Sequence, residues 1–172
     1  MSKLILITGG ARSGKSAISE QKTLNMAADM TGRAIYIATA EIWDDEMSER
    51  VATHQARRGP EWTTIAEPLD LVGALERSDN QEPRLVDCLT LWLTNLMLGE
   101  KDWQAETDRL IESLGKMNAP VVFVSNEVGL GIVPDNKLAR QFRDAAGLLN
   151  QRIAALCDEV SFVVSGIEMK VK

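Results

Sequence analysis

Leu4-Ile5-Leu6-Ile7-Thr8-Gly9-Gly10-Ala11-Arg12-Ser13-Gly14-Lys15-Ser16 is the stretch that decides how this chain folds. Four consecutive apolar residues closed by a pair of glycines fit a strand buried on both faces. From Lys15 to about Met30 the pattern reads as a helix, stopped by Gly32. Between strand and helix, residues 9–16 match G-x-x-x-x-G-K-[ST], in the context that gives this pattern its chemistry. The glycines let backbone N–H groups turn inward around phosphate oxygens, at the positive end of a helix. Gly9, Gly10, Ala11, Arg12, Ser13 and Gly14 are then the cradle. Lys15 bridges the β- and γ-phosphates and Ser16 holds Mg²⁺. The plainer alternative is a glycine-rich turn without a ligand, which motif, strand and helix in register disfavour.

Outward from this stretch, strands and helices alternate. Residues 34–38 (Ala-Ile-Tyr-Ile-Ala) read as a second buried strand, and 44–58 as a helix with Asp44, Asp45 and Glu46 in its first turn and Gly59-Pro60 as its stop. Residues 69–77 read as another helix, 85–87 as a third strand, 103–116 as a helix and 121–124 as a fourth strand. Leu138, Phe142, Ala145, Leu149, Ile153 and Leu156 recur every three or four residues, which marks a long amphipathic helix. Residues 160–164 read as a last strand. This order predicts an α/β fold, a doubly wound and mostly parallel sheet of the P-loop NTPase kind, in a single domain over 1–172. Ligands in such sheets bind at the carboxyl ends of the strands. Those ends lie at Thr8, Thr39, Asp87, Ser125 and Ser165.

Composition bounds the function. The chain has 172 residues, 19 Lys+Arg against 25 Asp+Glu, and a net charge of −6. This is the wrong sign for a surface that grips nucleic acid non-specifically. No apolar run approaches the roughly 20 residues of a membrane helix, and no signal-peptide pattern opens the chain. Cys88 and Cys157 form neither a disulfide framework nor a metal-ligand spacing, so a cytoplasmic setting is expected.

Asp87 closes the third strand, where P-loop proteins place the second carboxylate on the Mg²⁺ side; a turn or cap is the other reading. Thr39, Ala40 and Glu41 follow the second strand, and Glu67 follows the stretch Trp62-Thr63-Thr64; they are expected as contacts for ribose or base, or equally as caps. His54 is the single histidine. Arg50 and Arg58, four residues to either side, share its helix face, with Arg57 beside them. Cationic neighbours favour neutral imidazole, which in that state can attack an α-phosphate. The alternative is a packed or solvated histidine. Asn136-Lys137 is followed by Leu138-Ala139 and not by x-Asp, so guanine specificity does not follow from that motif. Residues 126–134 are long for a connection and shape a site more often than they merely join elements. Of Trp43, Trp62, Trp92 and Trp103, at least two are expected in the core or an interface.

Taken together these residues carry a resemblance. Residues 7–16 (Ile-Thr-Gly-Gly-Ala-Arg-Ser-Gly-Lys-Ser), 36–40 (Tyr-Ile-Ala-Thr-Ala), Asp44-Asp45-Glu46-Met47, His54, Arg58, Glu67, Asn126-Glu127-Val128-Gly129 and Gly131-Ile132-Val133-Pro134 belong to it, with Arg140, Asn150-Gln151 and Ser165-Gly166-Ile167. The whole chain resembles the bifunctional adenosylcobinamide kinase/adenosylcobinamide-phosphate guanylyltransferase family of cobalamin biosynthesis. The resemblance implies two steps. The hydroxyl of the cobinamide aminopropanol arm takes a phosphoryl group from ATP or GTP. A histidine, here His54, then attacks the α-phosphate of GTP, and GMP passes to adenosylcobinamide phosphate. It implies His54 and Lys15 as catalytic residues and nucleotide contacts at 9–16, Thr39, Ala40, Glu41, Gln55, Ala56, Arg57, Arg58, Glu67 and Asp87. Mg²⁺ would lie on Ser16 and Asp87, and the assembly would be a homo-oligomer, a trimer. The rival readings are a P-loop small-molecule kinase without the transferase step and a GTP-binding regulatory module.

Overall fold

The computed structural model describes residues 2–41 and 58–172. The helix expected at 44–58 lies outside the described residues, with Trp43, His54, Gln55, Ala56 and Arg57; Arg58 is described and belongs to no helix. Among the described residues the strands are β1 (Leu4–Gly9), β2 (Ala34–Ala38), β3 (Trp62–Ala66), β4 (Arg84–Asp87), β5 (Val121–Asn126), β6 (Glu159–Val164) and β7 (Ile167–Lys170). The helices are α1 (Lys15–Ala28), α2 (Leu71–Arg77), α3 (Leu89–Leu98), α4 (Trp103–Leu114) and α5 (Lys137–Leu156). One sheet joins the strands in the order β3-β2-β4-β5-β1-β6-β7. All its pairs are parallel except β6 with β7. The expected doubly wound, mostly parallel sheet is therefore what forms.

The central strands are apolar throughout because both of their faces are covered. Leu4 and Leu6 of β1, Phe123 of β5 and Val86 of β4 point into the larger cluster, with Leu89, Trp92, Leu93, Leu149 and Ile153 from the helices. Ile5, Ile7, Val122, Val124 and Leu85 point the other way, toward Ile18 and Met26 of α1. α1 packs on the sheet through small polar residues. Ser19 and Thr23 are fully buried and return their hydroxyls to the carbonyls of Lys15 and Ser19, each at 2.8 Å. Lys22, on the same helix, reaches Glu159 and Glu168 and so ties α1 to the β6–β7 hairpin. Side chains close the helix starts: Asp70 accepts from Gly73 N–H, Asp102 from Gln104 and Ala105, and Asn136 from Ala139. Asn136 is thus the cap of α5.

Three elements depart from the expectation. α3 fills a stretch left without an element between Asp87 and Trp103, because it is buried nearly all round and shows little helical periodicity. β3 is an edge strand whose middle residues, Thr63 and Thr64, are exposed, so neither a buried run nor a clean alternation marks it. β7 is exposed at every residue and pairs with β6 alone, with Lys22 of α1 reaching it at Glu168. Trp92 is fully buried with its indole N–H on the Leu69 carbonyl at 2.9 Å, and Trp103 packs against the core, in line with the expectation for the tryptophans.

Arg84 is the one fully buried arginine among the described residues. Its guanidinium donates to Leu75 O at 2.7 Å and Ala119 O at 2.6 Å and meets Asp79 at 2.9 Å. Asp79 also accepts from the N–H groups of Asn118 and Ala119. Partial burial works against its charge, but these N–H groups and Arg84 win and hold its carboxyl below the ordinary value. A depressed carboxylate stabilises the fold above its unfolded pKa of about 3.9, and that contribution is lost as pH falls through the folded pKa. Asp79→Asn leaves a buried cation without its counter-charge. We expect a loss of about 3 kcal/mol in urea unfolding at pH 7, with a shallower decline of stability below pH 4 than in the unsubstituted protein.

Candidate functional site

The phosphate loop leaves β1 at Gly9 and enters α1 at Gly14. At Gly9 a Cβ would lie 2.5 Å from the Val163 carbonyl oxygen on β6, and only glycine fits. Gly14 has φ +98°, a left-handed conformation that side chains disfavour, and a Cβ there would press on Gly166 at 3.1 Å. Gly166 sits in the tight β6–β7 turn and donates its N–H to Ser13 O at 2.7 Å, so the hairpin forms a wall behind the loop. The hydroxyls of Thr8 and Ser13 are buried without hydrogen-bond partners among the described residues. Polar groups left open in this way, at the end of a strand and the head of a helix, are what an anionic ligand satisfies.

Lys15 is 8% exposed and its ammonium rests on Gly10 O at 2.9 Å, turned into the loop it serves. Burial lowers its pKa, while Cys88 and Asp87 act in the opposite sense. Because burial pushes the Cys88 thiol up to about 12, Asp87 is the counter-charge that acts at neutral pH. Asp87 ends β4, with one oxygen accepting from Tyr36 O–H at 2.7 Å and the other without a protein partner among the described residues. Burial and the Asp87 charge raise the Tyr36 pKa, so the phenol stays a donor. Trp62 meets the Tyr36 ring edge-on, centroids 5.9 Å apart, and the Arg58 guanidinium lies 3.6 Å over its centroid. Two guanidinium nitrogens of Arg58 are buried without hydrogen-bond partners among the described residues. The structure therefore brings Lys15, Asp87 and Arg58 to one end of the sheet.

The other expected contacts are placed differently. Thr39 is fully buried; its hydroxyl donates to Cys88 O and accepts from Cys88 N–H, both at 2.7 Å. Its side chain is thus engaged within the protein, while Ala40 and Glu41 beyond it are partly exposed. Glu67 accepts from the N–H groups of Leu69 and Asp70 at 3.2 and 2.9 Å, which is the work of a cap before α2. His54, Gln55, Ala56 and Arg57 lie outside the described residues. Tyr36 is the residue that sequence reasoning passed over. Its signal was available: the chain's single tyrosine, inside a strand otherwise made of Ala and Ile.

At the end of β5, Ser125 donates to Asn150 at 2.6 Å, Asn126 N–H donates to Thr90 at 2.7 Å, and Glu127 N–H donates to Gly9 O at 3.0 Å. β5 stands between β1 and β4 and so between the phosphate loop and Asp87. For Mg²⁺ the donor set fits. Ser16 and the open oxygen of Asp87 are hard oxygen ligands, and this ion takes few of them from protein when phosphates supply the rest.

A parallel sheet with a glycine-rich loop, an inward lysine and an acid two strands away defines a nucleotide-binding protein of the P-loop class, and comparison with known proteins narrows this. Residues 5–171 match the cobinamide kinase / cobinamide phosphate guanyltransferase family, and the chain belongs to it. It is 47% identical over 171 residues to the bifunctional adenosylcobalamin biosynthesis protein CobP of Pseudomonas aeruginosa, covering 97% of this chain and 96% of that one. It is 42% identical over 185 residues to the protein CobU of Escherichia coli, named in the same way, covering 98% and 99%. Among solved structures, a KaiC-like protein of Pyrococcus horikoshii superposes with a TM-score of 0.52 at 13% identity, over 93% of this chain and 70% of that one. At that identity it speaks for the fold alone. The chain is an enzyme of this family.

Lys15 carries a charge that burial disfavours, so its side chain adds little to the stability of the fold. Lys15→Ala is expected to weaken triphosphate binding at least about tenfold and to abolish phosphoryl transfer, with unfolding free energy within about 1 kcal/mol of the unsubstituted protein. Calorimetric titration with nucleotide beside urea unfolding checks both halves.

Proposed function

We propose that this single-domain chain phosphorylates the aminopropanol hydroxyl of adenosylcobinamide with ATP or GTP, and then transfers GMP from GTP to the product through a guanylylated His54. The observation that carries the reading is the cradle at 9–16 with Lys15 turned into it and Asp87 as its counter-charge, in a chain of this family. In the first step the substrate oxygen bonds to the γ-phosphorus and the nucleoside diphosphate leaves. In the second, a ring nitrogen of His54 bonds to the α-phosphorus and pyrophosphate leaves. A phosphate oxygen of adenosylcobinamide phosphate then displaces the imidazole, giving adenosylcobinamide-GDP and free His54.

The residues divide the work. Backbone N–H groups of Gly9 to Gly14 surround the phosphates, and Lys15 leaves Gly10 O to meet them. Arg58, fixed over Tyr36, offers its open guanidinium nitrogens to the nucleotide. Ala40, Glu41, Gln55, Ala56 and Arg57, with Glu67 at the head of α2, form the remaining nucleotide contacts, while Thr39, whose hydroxyl, N–H and carbonyl are all engaged with Cys88, Asp87 and Asn95, backs the site without reaching the nucleotide. Mg²⁺ on Ser16 and Asp87 would neutralise phosphate charge in both steps. The exposed Leu130 and Ile132, 82% and 98% accessible, suit an interface between copies in a homo-oligomer, a trimer. We place the enzyme in the cytoplasm, and no helix among the described residues is long and apolar enough to cross a membrane.

Two variants test the reading. Asp87→Asn should raise the Mg²⁺ concentration at half-maximal activity about tenfold or more, because it removes a charge from the ion's shell; unchanged Mg²⁺ dependence reduces Asp87 to the acceptor of Tyr36. His54→Asn should still phosphorylate cobinamide and lose guanylyl transfer. The unsubstituted protein, given α-labelled GTP and Mg²⁺, should keep label after denaturation, through an acid-labile and alkali-stable bond. Absence of label overturns the covalent route. Loss of both activities in folded His54→Asn overturns the separation of roles.

A further inference from the structure

We infer that Glu127 is the catalytic base of phosphoryl transfer, the group that takes the proton of the substrate hydroxyl. The inference rests on the kinase step proposed above. Among the described residues four carboxylates stand at or just beyond the carboxyl ends of parallel strands: Glu41 after β2, Glu67 after β3, Asp87 on β4 and Glu127 after β5. Strands lie about 4.8 Å apart, and the order β3-β2-β4-β5-β1 puts β2 and β3 roughly 14 and 19 Å from the strand that carries the phosphate loop. Glu67 is in addition spent on the N–H groups of Leu69 and Asp70. Asp87 faces Lys15 and holds Tyr36. Only β5 adjoins both the strand of the phosphate loop and the strand of Asp87.

Glu127 is anchored there through its backbone. Its N–H donates to Gly9 O at 3.0 Å, while the Lys15 ammonium sits on the next carbonyl, Gly10 O, at 2.9 Å. The residue is thus fixed to the loop beside the group that meets the outer phosphates. Its side chain is only half engaged. One oxygen accepts from Gly129 N–H, and the other has no partner among the described residues. In the step, the hydroxyl oxygen bonds to the γ-phosphorus, its proton passes to the open oxygen of Glu127, and the bond from the γ-phosphorus to the β-phosphate oxygen breaks, its electron pair leaving with the diphosphate. The chemistry has a parallel in protein kinases, where a carboxylate of the catalytic loop accepts the proton of the substrate hydroxyl.

Glu127→Gln keeps an oxygen for Gly129 N–H and removes the basicity, so the loop stays anchored. Steady-state phosphorylation of cobinamide should show kcat lowered about a hundredfold or more, with triphosphate affinity within about twofold and covalent labelling by α-labelled GTP intact. In Glu127→Ala, added formate should restore part of kcat by supplying a mobile carboxylate, which a structural defect would not answer to. A Glu127→Gln protein with kcat within about fivefold of normal, a loss of affinity that matches the loss of rate, or a Glu127→Ala protein indifferent to formate would each overturn the assignment. Failure of the underlying reading looks different: the unsubstituted protein itself then leaves cobinamide unphosphorylated.

Discussion

The site depends on a steric constraint at Gly9. Here the chain leaves β1 so close to β6 that a single methyl group would meet the Val163 carbonyl at 2.5 Å. Because that methyl is absent, β1 pairs with β5 along its whole length and with β6 from Ile5 to Gly9, and still turns sharply into the loop. The second close approach, Gly14 against Gly166, sets the loop's far end, and the Gly166 N–H to Ser13 bond fixes its middle. Loop geometry is therefore dictated by strand packing and not by the loop's own residues. A preorganised cradle of this kind spends little binding energy on ordering itself when a ligand arrives.

Around that cradle, polar groups hold one another in place. Tyr36 holds Asp87, Arg58 and Trp62 hold the Tyr36 ring, and Thr39 grips the backbone of Cys88. Asn95 in turn holds the carbonyls of Thr39 and Pro68 at 2.8 and 3.0 Å. Apart from two nitrogens of Arg58, these polar groups are engaged by their neighbours, which keeps the acid end of the sheet rigid. The groups left open among the described residues are Thr8, Ser13 and part of Arg58 near this site, besides Ser2 and one nitrogen of Arg84. Their unevenness is informative, since unsatisfied polarity gathers where a charged ligand is expected and is sparse elsewhere.

Much of the fold could be read in the sequence because its central strands are buried on both faces. Continuous apolar runs as short as those at Leu4, Ala34 and Val121 fit strands covered on both sides, their shortness, β-branched residues and flanking Gly or Pro setting them apart from buried helix, and the glycine-rich loop fixes the strand-to-helix direction. α3, β3 and β7 escaped for one shared reason: each lacks the contrast between a wet and a dry face on which periodicity depends. α3 is dry nearly all round, β3 is polar at its centre, and β7 is wet throughout. The places of Lys15 at the start of α1 and Asp87 at the end of β4 were legible because the glycine-rich motif and the strand pattern fix both positions. The Tyr36–Asp87 contact was not, since it joins two strands whose adjacency appears only in the folded sheet. Glu67 shows the converse, where a strand-end acid is also an ordinary cap and spacing does not separate the two roles.

The hairpin behind the phosphate loop has a consequence for how the molecule is made. β1 precedes all of its partners along the chain: they are residues 121–126 and 159–163, and the wall of its loop is Gly166. Until the last of these emerges, the loop is a glycine-rich segment without a fixed shape, and contacts so distant along the chain close slowly. A nascent or prematurely terminated chain therefore has the nucleotide motif without the nucleotide site. A ligand held by this loop binds the finished sheet alone, and so stabilises the complete fold over any form that lacks the hairpin.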